Sequence, residues 1–325
     1  MALGALARVD RMGDLSIAAV CQSFRIEPFT ESSALLDDPE ALRREASEEG
    51  YLFFRGLVEP ERLLALRRAV LGLCDKHGWL APGAPLMNGL AREGIRLGAY
   101  DDKRWIAFLC EVLPLPAFRE LGLHPRILRV LEAMYGEPAV PHQGDLCRVV
   151  APATPEFTTL PHQDHYYLRG SDRVWTAWLP LGDCPVELGG LAVLPRSHRD
   201  GLLAHAGAGS GTRGVEITGD RTWAMSDLNA GDVVLSSCLT VHRAGDNLTD
   251  RLRISVDYRY QPASAAILPE EPKAPFSARR GSRLFHRTEC AWVGRIAEGE
   301  WVALASASEA KEFGLVECPA CQPRQ

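Results

Sequence analysis

Apolar positions change texture near the middle of the chain. Before about residue 140 they recur at helical spacing, and from about residue 143 they gather in short β-rich runs between turn residues. In "DDPEALRREASEEG", Asp38 is placed as N-cap, Pro39 as the first helical residue and Gly50 just past the end. "EPERLLALRRAVLGLCDKHG" puts Leu63, Leu66, Val70 and Leu73 on one face, with Gly78 closing the helix. "YLFFRGLV" between them predicts a strand, and "HPRILRVLEAMYG" another helix. The later runs are "DLCRVVAP", "RVWTAWLPL", "GLAVLP", "RTWAMSD", "GDVVLSSCLTVH" and "RLRISVDYRYQ", at the spacing of a sandwich or jelly roll. Helices followed by such a sandwich predict an α+β fold in which the helices buttress one sheet.

The stretch from Gln261 to Ser282 carries Pro262, Pro269, Pro272 and Pro275 and reads as an extended linker. About 43 residues follow it, too few for a robust apolar core unaided. The predicted organisation is a main domain over 1–262, a linker over 263–282 and a small domain over 283–325.

Composition narrows the function. Of the 325 residues 46% are apolar, which supports a core, and the net charge of −6 gives no basic field to hold nucleic acid. No run of eighteen apolar residues indicates a membrane span. Arg8, Asp10, Arg11 and Asp14 interrupt the N-terminus, which argues against a secretory signal. Nine cysteines, an odd number, point to a reducing, cytoplasmic setting rather than a disulfide framework.

Candidate chemistry begins at "LPHQDHYYLRGSDRVWTAWLPL". A carboxylate in a stretch that otherwise reads as core must be paired or bound to a metal. If the segment is a strand, His162 and Asp164 share a face while His165 points away. A third ligand is offered by His242, at the end of the apolar run in "GDVVLSSCLTVHRAGDN". Two histidines and one carboxylate on one octahedral face leave three open positions, the ligand set of non-haem Fe(II) oxygenases. Such iron commonly uses 2-oxoglutarate, whose distal carboxylate needs a cation. Arg251 and Arg253 both stand about ten residues beyond His242.

These residues resemble the phytanoyl-CoA dioxygenase family of Fe(II)/2-oxoglutarate oxygenases. The segments that carry the likeness are "PHQDHYYLRGSDRVWTAWLPLGD", "GGLAVLPRSHRDG", "GDVVLSSCLTVHRAGDN", "RISVDYRYQP" and, near the N-terminus, "EEGYLFFRGLVEPERLLALRRAV". The likeness covers roughly residues 25 to 262. It implies a double-stranded β-helix with His162, Asp164 and His242 as iron ligands, 2-oxoglutarate as cofactor and O₂ as co-substrate. In this family the oxoglutarate arginine stands eleven residues after the last ligand histidine, which points to Arg253 rather than Arg251. Trp178 and Arg148 match positions that line the oxoglutarate pocket in some members. Halogenases of the family lack the carboxylate, so Asp164 implies hydroxylation or another oxidation.

The C-terminal stretch holds a second constellation. His286 and Cys290 are followed 28 residues after Cys290 by Cys318, then by Cys321. Two close pairs of such ligands suit tetrahedral structural zinc, which would staple a segment this short. "LFHRTECAWVGRI" and "SEAKEFGLVECPACQP" resemble the zinc-binding domain of the Ada DNA-repair protein, over residues 283 to 323. Ada's first ligand is a cysteine and here it is His286, so the methyl transfer of Ada is not carried over and the zinc is read as structural. Arg279, Arg280, Arg283 and Arg287 form a basic cluster suited to phosphate contact, nearly balanced by Glu289, Glu298, Glu300, Glu309, Glu312 and Glu317.

The leading expectation is an oxygenase that hydroxylates a C–H bond of a small-molecule or carrier-bound metabolite, releasing succinate and CO₂. The second is the same chemistry on a nucleic acid or protein recruited by the tail. The third is a non-catalytic binding module that keeps the fold.

Overall fold

Asp38 caps its helix as its sequence position predicts, the carboxylate accepting from the backbone of Glu40 and Ala41. Gly50 ends the helix at φ 75°, and a Cβ there would meet His198 and Thr240 within 2.6 Å. The structure, a computed structural model, describes residues 25–98, 102–142, 144–168, 171–209, 212–265, 276–279, 282–288, 290, 292, 301–304 and 306–321. The N-terminal charges, Cys21, Arg280 and most of the proline-rich stretch lie outside these residues.

Helices α1 (Pro39–Glu49), α2 (Pro60–Lys76), α3 (Lys103–Val112), α4 (Pro116–Leu121) and α5 (Pro125–Tyr135) form the helical layer. The sequence predicts α1 from its caps, α2 from its apolar face, and α5. The start signals of the other two are also in the sequence: Asp102 caps α3 and Pro116 opens α4.

The strands are β1 (Arg25–Glu27), β2 (Tyr51–Phe54), β3 (Ala139–Pro141), β4 (Leu146–Val150), β5 (Trp175–Pro180), β6 (Leu191–Val193), β7 (Ala206–Gly209), β8 (Thr212–Gly214), β9 (Thr222–Ala224), β10 (Val233–Ser237), β11 (His242–Ala244) and β12 (Arg253–Pro262). The larger sheet runs β2-β10-β5-β12-β3, with β4 also on β12, and the smaller runs β1-β9-β6-β11. β7 and β8 form a separate hairpin.

Side-chain alternation assigns the two faces of the larger sheet. Leu52, Phe54, Val233, Leu235, Trp175, Ala177, Leu179, Ile254, Val256, Tyr258 and Tyr260 join the helices in one core. The intervening Tyr51, Phe53, Val234 and Trp178 pack instead with Leu191, Val193 and Ala224 of the smaller sheet. The two sheets therefore face each other over a second core, as in a jelly roll. Among the described residues no helix is long and apolar enough to cross a membrane.

The C-terminal segment builds its own sheet, β15-β13-β14-β16, from β13 (Phe276–Arg279), β14 (Leu284–Arg287), β15 (Trp301–Leu304) and β16 (Val316–Glu317), with helix α6 (Ala307–Glu312). β13 lies inside the segment read as linker, so the small unit begins earlier than composition suggested. Prolines mark the approach, but Phe276 to Arg279 form a strand because β14 and β15 pair with both of its edges. Its apolar core is small: Ala278, Phe285, Leu304 and Ala310. Trp292 packs against both the cysteine cluster and the main helical core, its ring 6.1 Å from Trp105 of α3 at 62°. The small unit is thus seated on the helical layer.

Trp105 is buried, so Trp105→Ala removes both core volume and the seat of Trp292. The expected cost is about 3–5 kcal/mol in denaturant unfolding. Faster proteolysis within residues 276–321 should accompany it.

Candidate functional site

His162 and His242 are neighbours because their backbones pair, each amide donating to the other's carbonyl at 3.0 Å. Asp164 does not continue that pairing. It opens a short helix, Asp164–Leu168, so the strand geometry expected for His162 and Asp164 is not what joins them. The chain turns at Gln163, and this turn brings the carboxylate over both imidazoles. Asp164 Oδ1 lies 3.6 Å from His162 Nε2 and 3.7 Å from His242 Nε2. The three ligand atoms lie within 4.8 Å of one another, all on buried residues. His165 is directed elsewhere, its Nδ1 3.8 Å from Cys238 Sγ.

Gln163 holds the turn. It is fully buried, and its Nε2 donates to Gly201 O and Leu239 O, both at 2.7 Å. Its Oε1 accepts from Leu203 N at 2.8 Å, and its own N–H donates to His205 Nε2 at 3.1 Å. His205 stacks on Tyr166 with centroids 4.2 Å apart, tying the approach to β7 to the ligand turn.

The imidazoles are set in one tautomer. His162 Nδ1 lies 2.8 Å from Leu160 O and His242 Nδ1 3.0 Å from Thr240 O. A carbonyl only accepts, so each Nδ1 carries the proton and each Nε2 presents a lone pair beside Asp164. Burial and the adjacent His162 push His242 down to about 4, which keeps it neutral near pH 7. Burial alone would raise Asp164. The positive charge of Arg259 overcomes that and holds it well below the usual carboxylate range.

A pocket adjoins His162 and His242, lined in part by Arg148, Trp178, Leu191, Ser236, Arg253 and Asp257. Arg148 pairs with Asp257 at 2.7 Å. Arg253 is 2% exposed, donates from Nη1 to Ser255 Oγ at 2.6 Å, and leaves its buried Nε without a partner. Burial pulls it down to about 10, so it stays charged at neutral pH. Among the described residues no carboxylate forms an ion pair with it. Arg251, by contrast, is exposed. The pocket thus brings together Arg148, Trp178 and Arg253, and leaves Arg251 outside.

The sequence profile of the phytanoyl-CoA dioxygenase (PhyH) family matches residues 46–255, which span all of these positions up to Arg253. The chain belongs to the phytanoyl-CoA dioxygenase family. It is an oxygenase. A 1-deoxypentalenic acid 11-beta-hydroxylase of Streptomyces arenae is 30% identical over 253 residues, 73% of this chain and 86% of the relative. Its counterpart from Streptomyces exfoliatus is 27% identical over 256 residues, 74% and 87%. Among solved structures, EvdO2 of Micromonospora carbonacea var. aurantiaca superposes with TM-score 0.51 at 21% identity, over 71% of this chain and 94% of that one. The epimerase SnoN, solved with Fe3+, alpha ketoglutarate and nogalamycin RO, gives 0.50 at 24% identity, over 71% and 86%. These two likenesses bear on the fold.

Sequence reasoning missed Gln163, Thr176, Asp257 and Arg259. A signal for two of them was available. In β12 the alternate residues Arg253, Ser255, Asp257, Arg259 and Gln261 are all polar and all buried, whereas the residues between them are apolar or aromatic. A strand with one wholly polar face and no solvent to meet it must turn that face to a site.

In the small unit, His286, Cys290, Cys318 and Cys321 bring their ligand atoms within 4.8 Å of one another, all buried. Hydrogen bonds from Cys290 and Cys318 push the Cys321 thiol down, favouring a thiolate there.

Gln163→Leu keeps the side-chain size but strands Leu203 N, Gly201 O and Leu239 O. Each orphan shielded from water costs about 1–3 kcal/mol, so the variant is expected to unfold at lower denaturant than wild type. An unchanged midpoint would show that the turn is held by other contacts.

Proposed function

We propose that the chain is a non-haem Fe(II)/2-oxoglutarate-dependent hydroxylase of a small-molecule or carrier-bound metabolite. The observation that carries this reading is Arg253, a charged guanidinium buried beside the His162–Asp164–His242 cluster with no carboxylate paired to it among the described residues. A buried unpaired cation is costly, and a bidentate carboxylate guest relieves that cost.

The donor set fits iron. Two imidazole nitrogens and one carboxylate oxygen converge, and both histidines line the pocket. Bound together there, iron and 2-oxoglutarate would supply O₂ activation: one oxygen atom goes into the substrate C–H bond, the other into succinate, and CO₂ leaves. The protein's part is positional. His162, Asp164 and His242 hold the metal. Arg253, steadied by Ser255, takes the distal carboxylate of the cofactor. Trp178 and Leu191 exclude water from it, and the Arg148–Asp257 pair closes the wall. The relatives named as acting on 1-deoxypentalenic acid favour a small molecule as substrate here.

For the small unit we propose a structural zinc on His286, Cys290, Cys318 and Cys321. Arg287 of the basic cluster is tied to Glu317 and Trp292 is seated against Trp105, which favours a stabilising role.

Two experiments test these readings. Succinate formation from 2-oxoglutarate should require Fe(II) and vanish in His162→Ala and His242→Ala. Arg253→Ala should raise the 2-oxoglutarate requirement about 30-fold or more, the loss of a buried charge-assisted pair. If Arg251→Ala does so instead, the assignment of Arg253 fails. Cys318→Ser should release zinc and loosen residues 276–321 while iron binding persists.

A further inference from the structure

Asp164 has two carboxylate oxygens in different surroundings. Oδ1 faces both imidazoles. Oδ2 accepts from Thr176 Oγ1 at 2.7 Å and from Arg259 Nε at 3.3 Å, and Arg259 Nη2 lies at ion-pair distance, also 3.3 Å. Thr176 and Arg259 are themselves cross-strand partners on β5 and β12, so the sheet register sets their spacing. The Arg259 guanidinium is fixed on its other sides. It donates to Gly144 O and lies 3.6 Å from Asp257 Oδ2, and its backbone N–H donates to Asp145 Oδ1. Arg259 is 1% exposed, so water does not compete for these contacts.

We propose that Thr176 and Arg259 are positioning residues that occupy Oδ2, so that Asp164 offers Oδ1 alone to the metal. The proposal rests on the reading of His162, Asp164 and His242 as metal ligands. A carboxylate free to rotate can present both oxygens to one metal ion and fill two of its positions. Three one-atom ligands leave three positions of an octahedron open, two for a chelating oxo acid and one more. A two-oxygen aspartate removes that last position. The hydroxyl and the guanidinium together saturate the acceptor capacity of Oδ2 and prevent this. Arg259 also links the metal carboxylate to the pocket wall, since Asp257 holds Arg148 on its other side.

The test is a Mn(II) titration of the full chain followed by electron paramagnetic resonance. Mn(II) prefers nitrogen and oxygen ligands and so reports on this site rather than on the cysteine cluster. Thr176→Val keeps the side-chain shape and deletes one hydrogen bond. It should bind Mn(II) about 10-fold to 100-fold more weakly and change the line shape of the bound ion. Thr176→Ser should restore both. Arg259→Lys keeps the charge but loses the fork, and should change the line shape in the same direction. Wild-type affinity and line shape in folded Thr176→Val would overturn the proposal, whether or not Arg259→Lys folds. Asp164→Ala separates this from the ligand reading. Mn(II) bound as in wild type there would overturn the ligand assignment first, and the proposal with it.

Discussion

Everything at this site depends on one strand being buried on both faces while one face is charged. β12 presents Ile254, Val256, Tyr258 and Tyr260 to the helical core and Arg253, Ser255, Asp257, Arg259 and Gln261 to the space between the sheets. Charged groups in such a place are stable only when each meets a partner of opposite sign or a polar ligand. Asp257 meets Arg148 and Arg259, and Arg259 meets Asp164. Arg253 has a hydroxyl for a partner and, among the described residues, no anion. The strand therefore carries both a network of paired charges and a buried guanidinium that no carboxylate pairs with among the described residues.

The rest of the fold keeps that face in register. The helices cover the apolar side of the larger sheet, and the smaller sheet closes the other side while supplying His242. The turn at Gln163 supplies His162 and Asp164 from outside either sheet's regular pairing. The convergence of these three side chains thus arises from three separate devices: a backbone bridge between the histidines, a buried glutamine that locks the turn, and cross-strand partners on the aspartate.

Much of this was legible in the sequence. Caps at Asp38 and Gly50 and the faces of the long helices follow from local rules, and the runs of β-formers place the strands that matter. His162, Asp164 and His242 stood out because charged or imidazole side chains interrupt apolar runs at β spacing, whereas Arg253 was set apart from Arg251 only by the family resemblance. The reason His162 and Asp164 meet was not legible. It lies in tertiary contacts of Gln163 with Gly201, Leu203 and Leu239, which no local pattern encodes. The early start of the small unit's sheet was hidden for a similar reason. Phe276–Arg279 is a strand through its neighbours on both edges rather than through its own composition. The polar alternation along β12 was present in the sequence, but Asp257 and Arg259 gain meaning only once both faces are known to be buried.

The central claim, that this buried charged face builds a site for iron and an oxo dicarboxylate together, is tested most directly by anaerobic visible absorption. Fe(II) and 2-oxoglutarate are added to metal-stripped protein and to its Asp164→Ala variant. The account predicts a visible charge-transfer band in the wild type that weakens or shifts in the variant. Wild-type protein that binds iron yet shows no band with 2-oxoglutarate would contradict it.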